Sequence, residues 1–195
     1  MARVAKHLGF TTMALYRHIA SKEELLLLML NTVLRPPASL DEPIEDWRAG
    51  LERWCWEMRR GLKRHPWIER VPVGGLVGTP SQLGWMDRGL ATMADTALSE
   101  QERGEVLLLL NGYVYWEARL HADLARAEDA DLTVETFDAL MRAVTDSGRF
   151  PAARRAIEAG IFNDEPGDDR DSDFAFGLAR VLDGIELLIE RRSNR

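Results

Sequence analysis

Cysteine is nearly missing from this sequence, Cys55 being the single one among 195 residues. One thiol makes no internal disulfide and offers a metal no cysteine pair, so Cys55 reads as a small buried apolar residue. Long apolar runs are lacking as well. No stretch approaches the roughly 18 consecutive apolar residues that a membrane span needs, and no basic-then-apolar leader ending in small residues opens the chain. A cytoplasmic protein without a membrane partner is therefore expected. Strand signals are scarce too: alternating β-branched and aromatic residues between hairpin turns do not occur, whereas helical periodicity with caps recurs throughout. The fold is expected to be all-α. A Ser-His-Asp order, a nucleotide loop and a carboxylate pair in a recognisable setting are also wanting, so the sequence gives no positive sign of an enzyme, a metal or a cofactor.

Positive charge is in short supply, and its placement is informative. The formal net charge of −7 argues against a protein that coats nucleic acid by bulk attraction. Through residue 35, however, Arg3, Lys6, Arg17, Lys22 and Arg35 outnumber Glu23 and Glu24, giving +3 and leaving −10 for the remainder. A small basic head on an acidic body suits a protein that touches phosphate at one end only. The length leaves room for such a head and a larger domain with a real core.

Arg3 to Leu8 reads as a short helix stopped by Gly9, since glycine adopts the left-handed conformation at a helix end without a Cβ penalty. Thr11 or Thr12 caps a second short helix, from Met13 to Ile19, whose Leu15 and Ile19 are expected to face inward with Val4 and Leu8. Ser21-Lys22-Glu23-Glu24 is a capping box opening a third helix to about Leu34, which Pro36-Pro37 ends. Two short helices joined by a glycine-bearing turn, the second presenting small, polar and aromatic residues outward, form a helix-turn-helix. On physics alone this pair could equally be a packing corner.

Beyond it, Asp41 to Pro43 is expected to start a long helix reaching about Arg64, with Trp47, Leu51, Trp54, Met58 and Leu62 on one face. His65-Pro66 breaks it. Residues 71–79, rich in glycine, read as a loop; Thr79-Pro80 then caps a helix to about Leu98. Ser99 to Glu102 is a second capping box. The helix it opens runs to Asp123 or beyond and is apolar on nearly every side between Val106 and Trp116, so it must be covered all round. Thr133 to Thr145 and Pro151 to Glu158 are shorter helices, the acid-rich residues 163–173 read as a mobile loop, and a last helix begins at Phe174 and ends near Arg192. Small residues interrupt its apolar stripe at Ala175, Gly177, Ala179 and Gly184. A glycine inside a helix costs about 1 kcal/mol against alanine, which suggests a helix approaching closely. Helices 106–123 and 174–192 could thus form a symmetric four-helix interface between two copies, or pack within one chain.

Two clusters in the body bear on ligands. Trp54, Met58, Trp85, Met86, Tyr113 and Trp116 supply aromatic and thioether walls that suit a small apolar or aromatic ligand, although an aromatic stripe at helical spacing also describes a solid core. Glu117 and His121, four apart on one face, have a spacing that can hold a metal, yet a third ligand is needed and His65 is the only candidate of its type. A hydrogen-bonded pair at the surface or at a pocket edge is the expectation.

The run Val4-Ala5-Lys6-His7-Leu8-Gly9-Phe10-Thr11-Thr12-Met13-Ala14-Leu15-Tyr16-Arg17-His18-Ile19-Ala20-Ser21-Lys22-Glu23-Glu24-Leu25-Leu26 resembles the DNA-binding signature of the TetR family of bacterial regulators. Its most specific part is Leu-Tyr-Arg-His followed by Ser-Lys-Glu-Glu-Leu-Leu, and the remainder is similar in helix order to the tetracycline-repressor type of C-terminal domain. The resemblance implies a DNA-reading helix within residues 10–19, a DNA-binding domain over residues 1–35 and a regulatory and dimerisation domain over residues 41–195. It implies that Thr11, Thr12, Met13 and Ala14 meet base edges of double-stranded DNA in the major groove, and that Tyr16, Arg17, His18 and Lys22 grip phosphate or the groove edge. It also favours a ligand pocket, with Glu117 among its candidates, over a solid core. Together these imply a homodimeric, ligand-responsive regulator, in the family's usual case a repressor released from its operator by a small molecule. In this family a further helix precedes the position of Val4. The chain begins at Met1, so the head is expected to lack that cover, and the alternative is a ligand-binding dimer that no longer binds DNA.

Overall fold

The structure is a computed structural model that describes residues 1–71, 78–128, 134–145, 148–161 and 171–194. Its described residues form α-helices, joined by turns, and no strand. The helices are α1 (Ala2–His7), α2 (Thr12–Tyr16), α3 (Lys22–Val33), α4 (Trp47–Arg64), α5 (Pro80–Ala91), α6 (Glu100–Glu128), α7 (Val134–Thr145), α8 (Pro151–Glu158) and α9 (Asp171–Ser193). No described helix is long and apolar enough to cross a membrane.

Local chemistry accounts for most of the boundaries. Gly9 stands at φ +75° after α1, in the left-handed region expected of it. Thr11 caps α2, its hydroxyl accepting the Ala14 amide at 3.1 Å. Ser21 accepts the Glu24 amide at 3.1 Å, while the Glu24 carboxylate reaches back to the amide of Ala20 rather than to that of Ser21. At α5, Thr79 and Gln82 close a complete capping box with Pro80 in the first turn, and at α6 Ser99 and Glu102 close another.

Four helices depart from the sequence expectation, α9 by starting at Asp171 and not at Phe174. Helix α2 stops at Tyr16 instead of Ile19 because Arg17 and His18 bond the carbonyls of Ala14 and Leu15, three residues back, tightening the last turn. Helix α4 starts at Trp47, not at Asp41: Asp46 accepts the Ala49 amide at 2.8 Å, while Ala38–Asp41 makes a separate 3-10 turn. Helix α5 ends at Ala91, short of Leu98, where Thr92 and Thr96 turn their hydroxyls onto the carbonyls of Gly89 and Met93 and give the backbone another partner. The glycine-rich loop expected at 71–79 falls largely outside the described residues, as does most of the acidic loop at 163–173, whose end is already helical from Asp171.

The chain divides into two compact units, Met1–Tyr115 with Val181–Arg195, and Trp116–Arg180. The first holds α1 to α5, the opening of α6 and the end of α9. Leu51, Trp54, Cys55, Met58 and Leu62 of α4 are buried, and Trp47 is partly so, as their spacing required. Each such large apolar side chain contributes about 1.5–3 kcal/mol on leaving water. Burial pushes the Cys55 thiol up to about 12, with Glu52 adding to the effect, so it stays protonated and unreactive. Charged side chains fasten the end of α9: Arg48 of α4 reaches Asp183 at 2.6 Å and Glu186 at 3.1 Å, and Arg192 reaches Glu102 at 2.6 Å. In the second unit, Phe174, Leu178, Ile157 and Ala118 are buried.

Glu102 serves two helices at once, capping α6 and receiving Arg192. The Ser99 amide, then Arg192 and the Ser99 hydroxyl, hold its carboxyl down at about 2, against an ordinary 4.5. Its contribution to stability is therefore complete above pH 4.5 and is lost as pH falls through about 2. Glu102→Gln is expected to be less stable than the parent in urea unfolding at pH 7, with the gap shrinking as pH is lowered from 4.5 toward 2.

Candidate functional site

The head is built from α1, α2 and the start of α3. Ala5 and Ile19 form its buried centre, and Leu15 is half-buried. Val4 and Leu8, expected to face inward, are exposed instead. The inward position of α1 belongs to Ala5, whose single methyl lets the turn fold back closely enough for its carbonyl to accept the Phe10 amide at 2.9 Å.

The residues assigned to DNA come together on this short helix and its flanks. Met13 is 76% exposed, Thr11, Tyr16, Arg17, His18 and Lys22 are exposed, and Thr12 and Ala14 are half-buried. Thr11 uses its oxygen to cap the helix, which leaves the hydroxyl proton to donate outward. Arg3, Lys6 and His7 also stand in solvent. This surface is rich in basic side chains, and Met13, Phe10 and Tyr16 are its exposed large apolar ones beside Val4 and Leu8.

Sequence reasoning missed how this head is fastened to the body. The last carbonyls of a helix and the first amides of the next are orphan groups that need partners. Here each is satisfied by the other's side chain: the Ser81 amide donates to Asn31 Oδ1 at 2.9 Å, and the Ser81 hydroxyl donates to the Asn31 carbonyl at 2.6 Å. One turn further on, the Trp85 indole N–H donates to the Leu34 carbonyl at 2.8 Å. The carbonyl end of α3 therefore meets the amino end of α5, an arrangement the helix dipoles favour. The connection from α3 to α4 is pinned as well. Arg88 makes a two-pronged bond to Asp41 at 2.8 and 3.1 Å, Arg53 reaches the carbonyls of Ser39, Glu42 and Pro43, and Ser39 donates to Glu57 at 3.0 Å. The one sequence signal for this latch was Asn31 itself, a polar residue ending a leucine-rich run.

The aromatic residues of the body fall into separate settings. Trp54 and Trp85 are buried edge to face, with ring centres 5.7 Å apart and planes at 82°, and the Trp54 N–H donates to the Trp85 carbonyl at 2.9 Å. Met58 is buried on α4, Met86 is exposed and Tyr113 is half-buried. In the second unit Trp116 is 66% exposed, and Glu117 is buried with Oε1 at 2.6 Å from His121 Nε2, the paired arrangement expected of the two. A cavity of about 270 Å³ in that unit is walled by Arg142, Ala143, Thr145, Arg154, Ile157 and Glu158, none of which the sequence pattern marked as a ligand contact. A second unforeseen feature is Arg59 of α4, wholly buried, with its guanidinium 5.4 Å from the Trp56 ring centre.

A helix-turn-helix head latched to a long-helix body defines a helical transcriptional regulator. Residues 40–189 match the tetracyclin repressor-like C-terminal domain. The HTH-type transcriptional repressor DrrR1 of Streptomyces coeruleorubidus is 36% identical over 200 residues, covering 98% of this chain and 71% of the relative. The chain belongs to the TetR family, as a transcriptional regulator and not an enzyme. Its fold is shared with the Streptomyces coelicolor TetR family protein ActR, solved in complex with actinorhodin, at TM-score 0.74 and 22% identity over 95% of this chain and 85% of that one. A possible TetR family transcriptional regulator from Streptomyces coelicolor A3(2) follows at TM-score 0.71 and 21% identity, over 95% of this chain and 88% of the other.

The close seat of the two tryptophans depends on Gly89. A Cβ there would lie 2.7 Å from Leu107 Cδ2 and 3.1 Å from Trp54 Nε1. Gly89→Ala is expected to destabilise the protein by about 1–3 kcal/mol through overpacking, read as a lower midpoint in urea with an unchanged slope.

Proposed function

We propose that the chain is a repressor that works as a homodimer, docking two heads in successive major grooves of double-stranded DNA and releasing them when a small apolar or aromatic molecule binds its body. The observation that carries this reading is the head: Met13 at the tip of α2, Thr11 and Thr12 at its start, and Tyr16, Arg17, His18 and Lys22 around it in water. The threonines and Met13 and Ala14 would read base edges, and the flanking residues would grip phosphate and set register. Residues 1–35 act as the DNA-binding domain and residues 41–195 as the regulatory domain, in a cytoplasmic protein.

Dimerisation is supported by apolar surface that the chain leaves in water. Leu108 is 72% exposed and Leu109 55%, on the stretch of α6 that its sequence required to be covered. On the same helix and on α9, Leu120, Phe176 and Leu187 are exposed, and a Cβ at Gly112 or Gly184 would meet nothing within 4 Å among the described residues. Glycine at such open helical positions weakens the helix without relieving a contact inside the chain, and it suits the approach of a second copy. Two heads joined in this way would face half-sites about 34 Å apart.

For the ligand, support comes from the aromatic and thioether side chains Trp54, Met58, Trp85, Met86 and Tyr113 in the first unit, and from ActR, a fold relative solved with actinorhodin. A ligand releases DNA only insofar as it binds the off-DNA conformation more tightly. The other reading, a ligand-binding dimer without DNA affinity, draws on the exposed Val4 and Leu8, apolar surface that leaves the head thinly covered.

Fluorescence anisotropy with a duplex selected from a random library separates the two, since the second reading yields no selected sequence. Lys22→Ala is expected to weaken binding across sequences and to lower the slope of log affinity against log salt by about one contact per head. An unchanged slope would remove Lys22 from the interface. Leu108→Glu is expected to turn the dimer into a monomer in sedimentation experiments, and a dimer that persists would move the interface elsewhere.

A further inference from the structure

Helices α7 and α8 pack against each other within the second unit, and the cavity of about 270 Å³ that they wall differs in charge from the rest of the body. Residues beyond 35 total −10, yet within residues 139–161 Arg142, Arg149, Arg154 and Arg155 outnumber Asp146 and Glu158, for a net +2. Arg142 of α7 and Arg154 of α8 line the cavity, and Glu158 is the one acid among its lining residues. We propose that this cavity is a ligand site for a small organic anion, a carboxylate carried on a single ring or a short apolar chain. Such a site is independent of the DNA reading of the head and of the aromatic side chains in the first unit.

The lining residues fix the ligand's chemistry. A guanidinium carries N–H donors in a planar fork that matches a carboxylate, so it can keep a partner within the protein and still offer an edge to an incoming anion. Arg154 does keep one: its Nε lies 2.8 Å from Glu158 Oε1, one helical turn on, which steadies the guanidinium at the cavity wall. Arg142 reaches across from α7 to the carbonyl of Ile157 on α8 at 3.4 Å. Two cations against one acid leave the wall at +1, so an anion is attracted and a cation repelled. Thr145 adds no donor, because its hydroxyl donates to the carbonyls of Met141 and Arg142 in its own helix, at 2.8 and 3.1 Å. The rest of the wall is apolar: Ile157 is buried and Ala143 contributes a methyl. An inorganic anion would leave that part without a partner, whereas an apolar body beside the carboxylate covers it. Volume sets the size. Sites that enclose drug-sized ligands measure about 300–1,000 Å³, and about 270 Å³ falls just below that range, which admits one ring and not several fused ones. Arg142, Arg154 and Glu158 are exposed, so the ligand enters from solvent without a rearrangement of the core.

Benzoate is the probe, titrated into isotope-labelled protein and followed by the amide signals of Ala143, Thr145, Ile157 and Glu158. These signals are expected to move saturably, with a dissociation constant on the order of 1 mM for so small a ligand. Benzamide, the neutral counterpart, and inorganic phosphate, an anion without an apolar body, should each bind about tenfold more weakly or worse. Arg142→Gln and Arg154→Gln should each weaken benzoate about tenfold, while Arg155→Gln, next along α8 and outside the wall, should leave it unchanged. Because loss of affinity also follows from a damaged fold, the deciding variant is one that gains. Glu158→Gln keeps an oxygen to accept from Arg154 and removes the opposing charge, and it should bind benzoate about threefold more tightly. Benzamide or phosphate binding as well as benzoate would overturn the proposal, as would benzoate shifts confined to other amides. So would an Arg154→Gln protein with parental affinity, or a Glu158→Gln protein that binds no better than the parent.

Discussion

A helix that ends inside a protein must find donors for its last carbonyls, and in this chain those of α3 are supplied by the first turns of α5. Much else follows from that requirement. Serine must stand at position 81, where its hydroxyl donates and its amide is still free of the helix, and an amide side chain at position 31 must accept in return. Tryptophan suits position 85 because its indole pairs a far-reaching N–H with a ring apolar enough to be buried. Glycines at 84 and 89 keep α5 slim: a Cβ at the first would stand 3.2 Å from Pro36, and at the second it would strike Leu107. The connection between head and body is thereby a bonded joint rather than a loose tether.

The long helix α6 shows the opposite situation, a demand that the chain leaves open. Its buried residues Val106, Leu107, Leu110 and Val114 face the interior, while Leu108 and Leu109 between them face water. Hydrophobic residues on both sides of one helix are a signature of burial on both sides. This is the surface that the proposed dimer would cover.

What could be read from the sequence divides along physical lines. Caps depend on residues three apart, so Ser21, Thr79 and Ser99 were legible, as was the buried face of α4 with its regular spacing, and Thr11 was one of two threonines offered. Helix ends were read too long at Tyr16 and Ala91, because tightening of a last turn leaves no mark in composition. The exposure of most outward residues of the head was legible, but the inward ones only in part: Ala5 took the place expected of Val4 and Leu8, since periodicity gives a helix face without its exact rotation. The latch was out of reach. Asn31 and Ser81 are separated by 50 residues, and no local pattern brings one to the other. The buried Arg59 was equally hidden, as an arginine on an amphipathic helix reads as solvent-facing until its surroundings are known.

The shared carboxylate of Glu102 binds the opening turn of one long helix to the closing turn of another, through Ser99 on one side and Arg192 on the other. Helix ends ordinarily fray independently and at little cost. Here one carboxylate serves both, Oε2 toward Ser99 and Oε1 toward Arg192, so the side chain that caps α6 is also the tether of the end of α9. The closing turn of α9 is then held by a side-chain tether, and its amides should exchange more slowly than those of an untethered helix end.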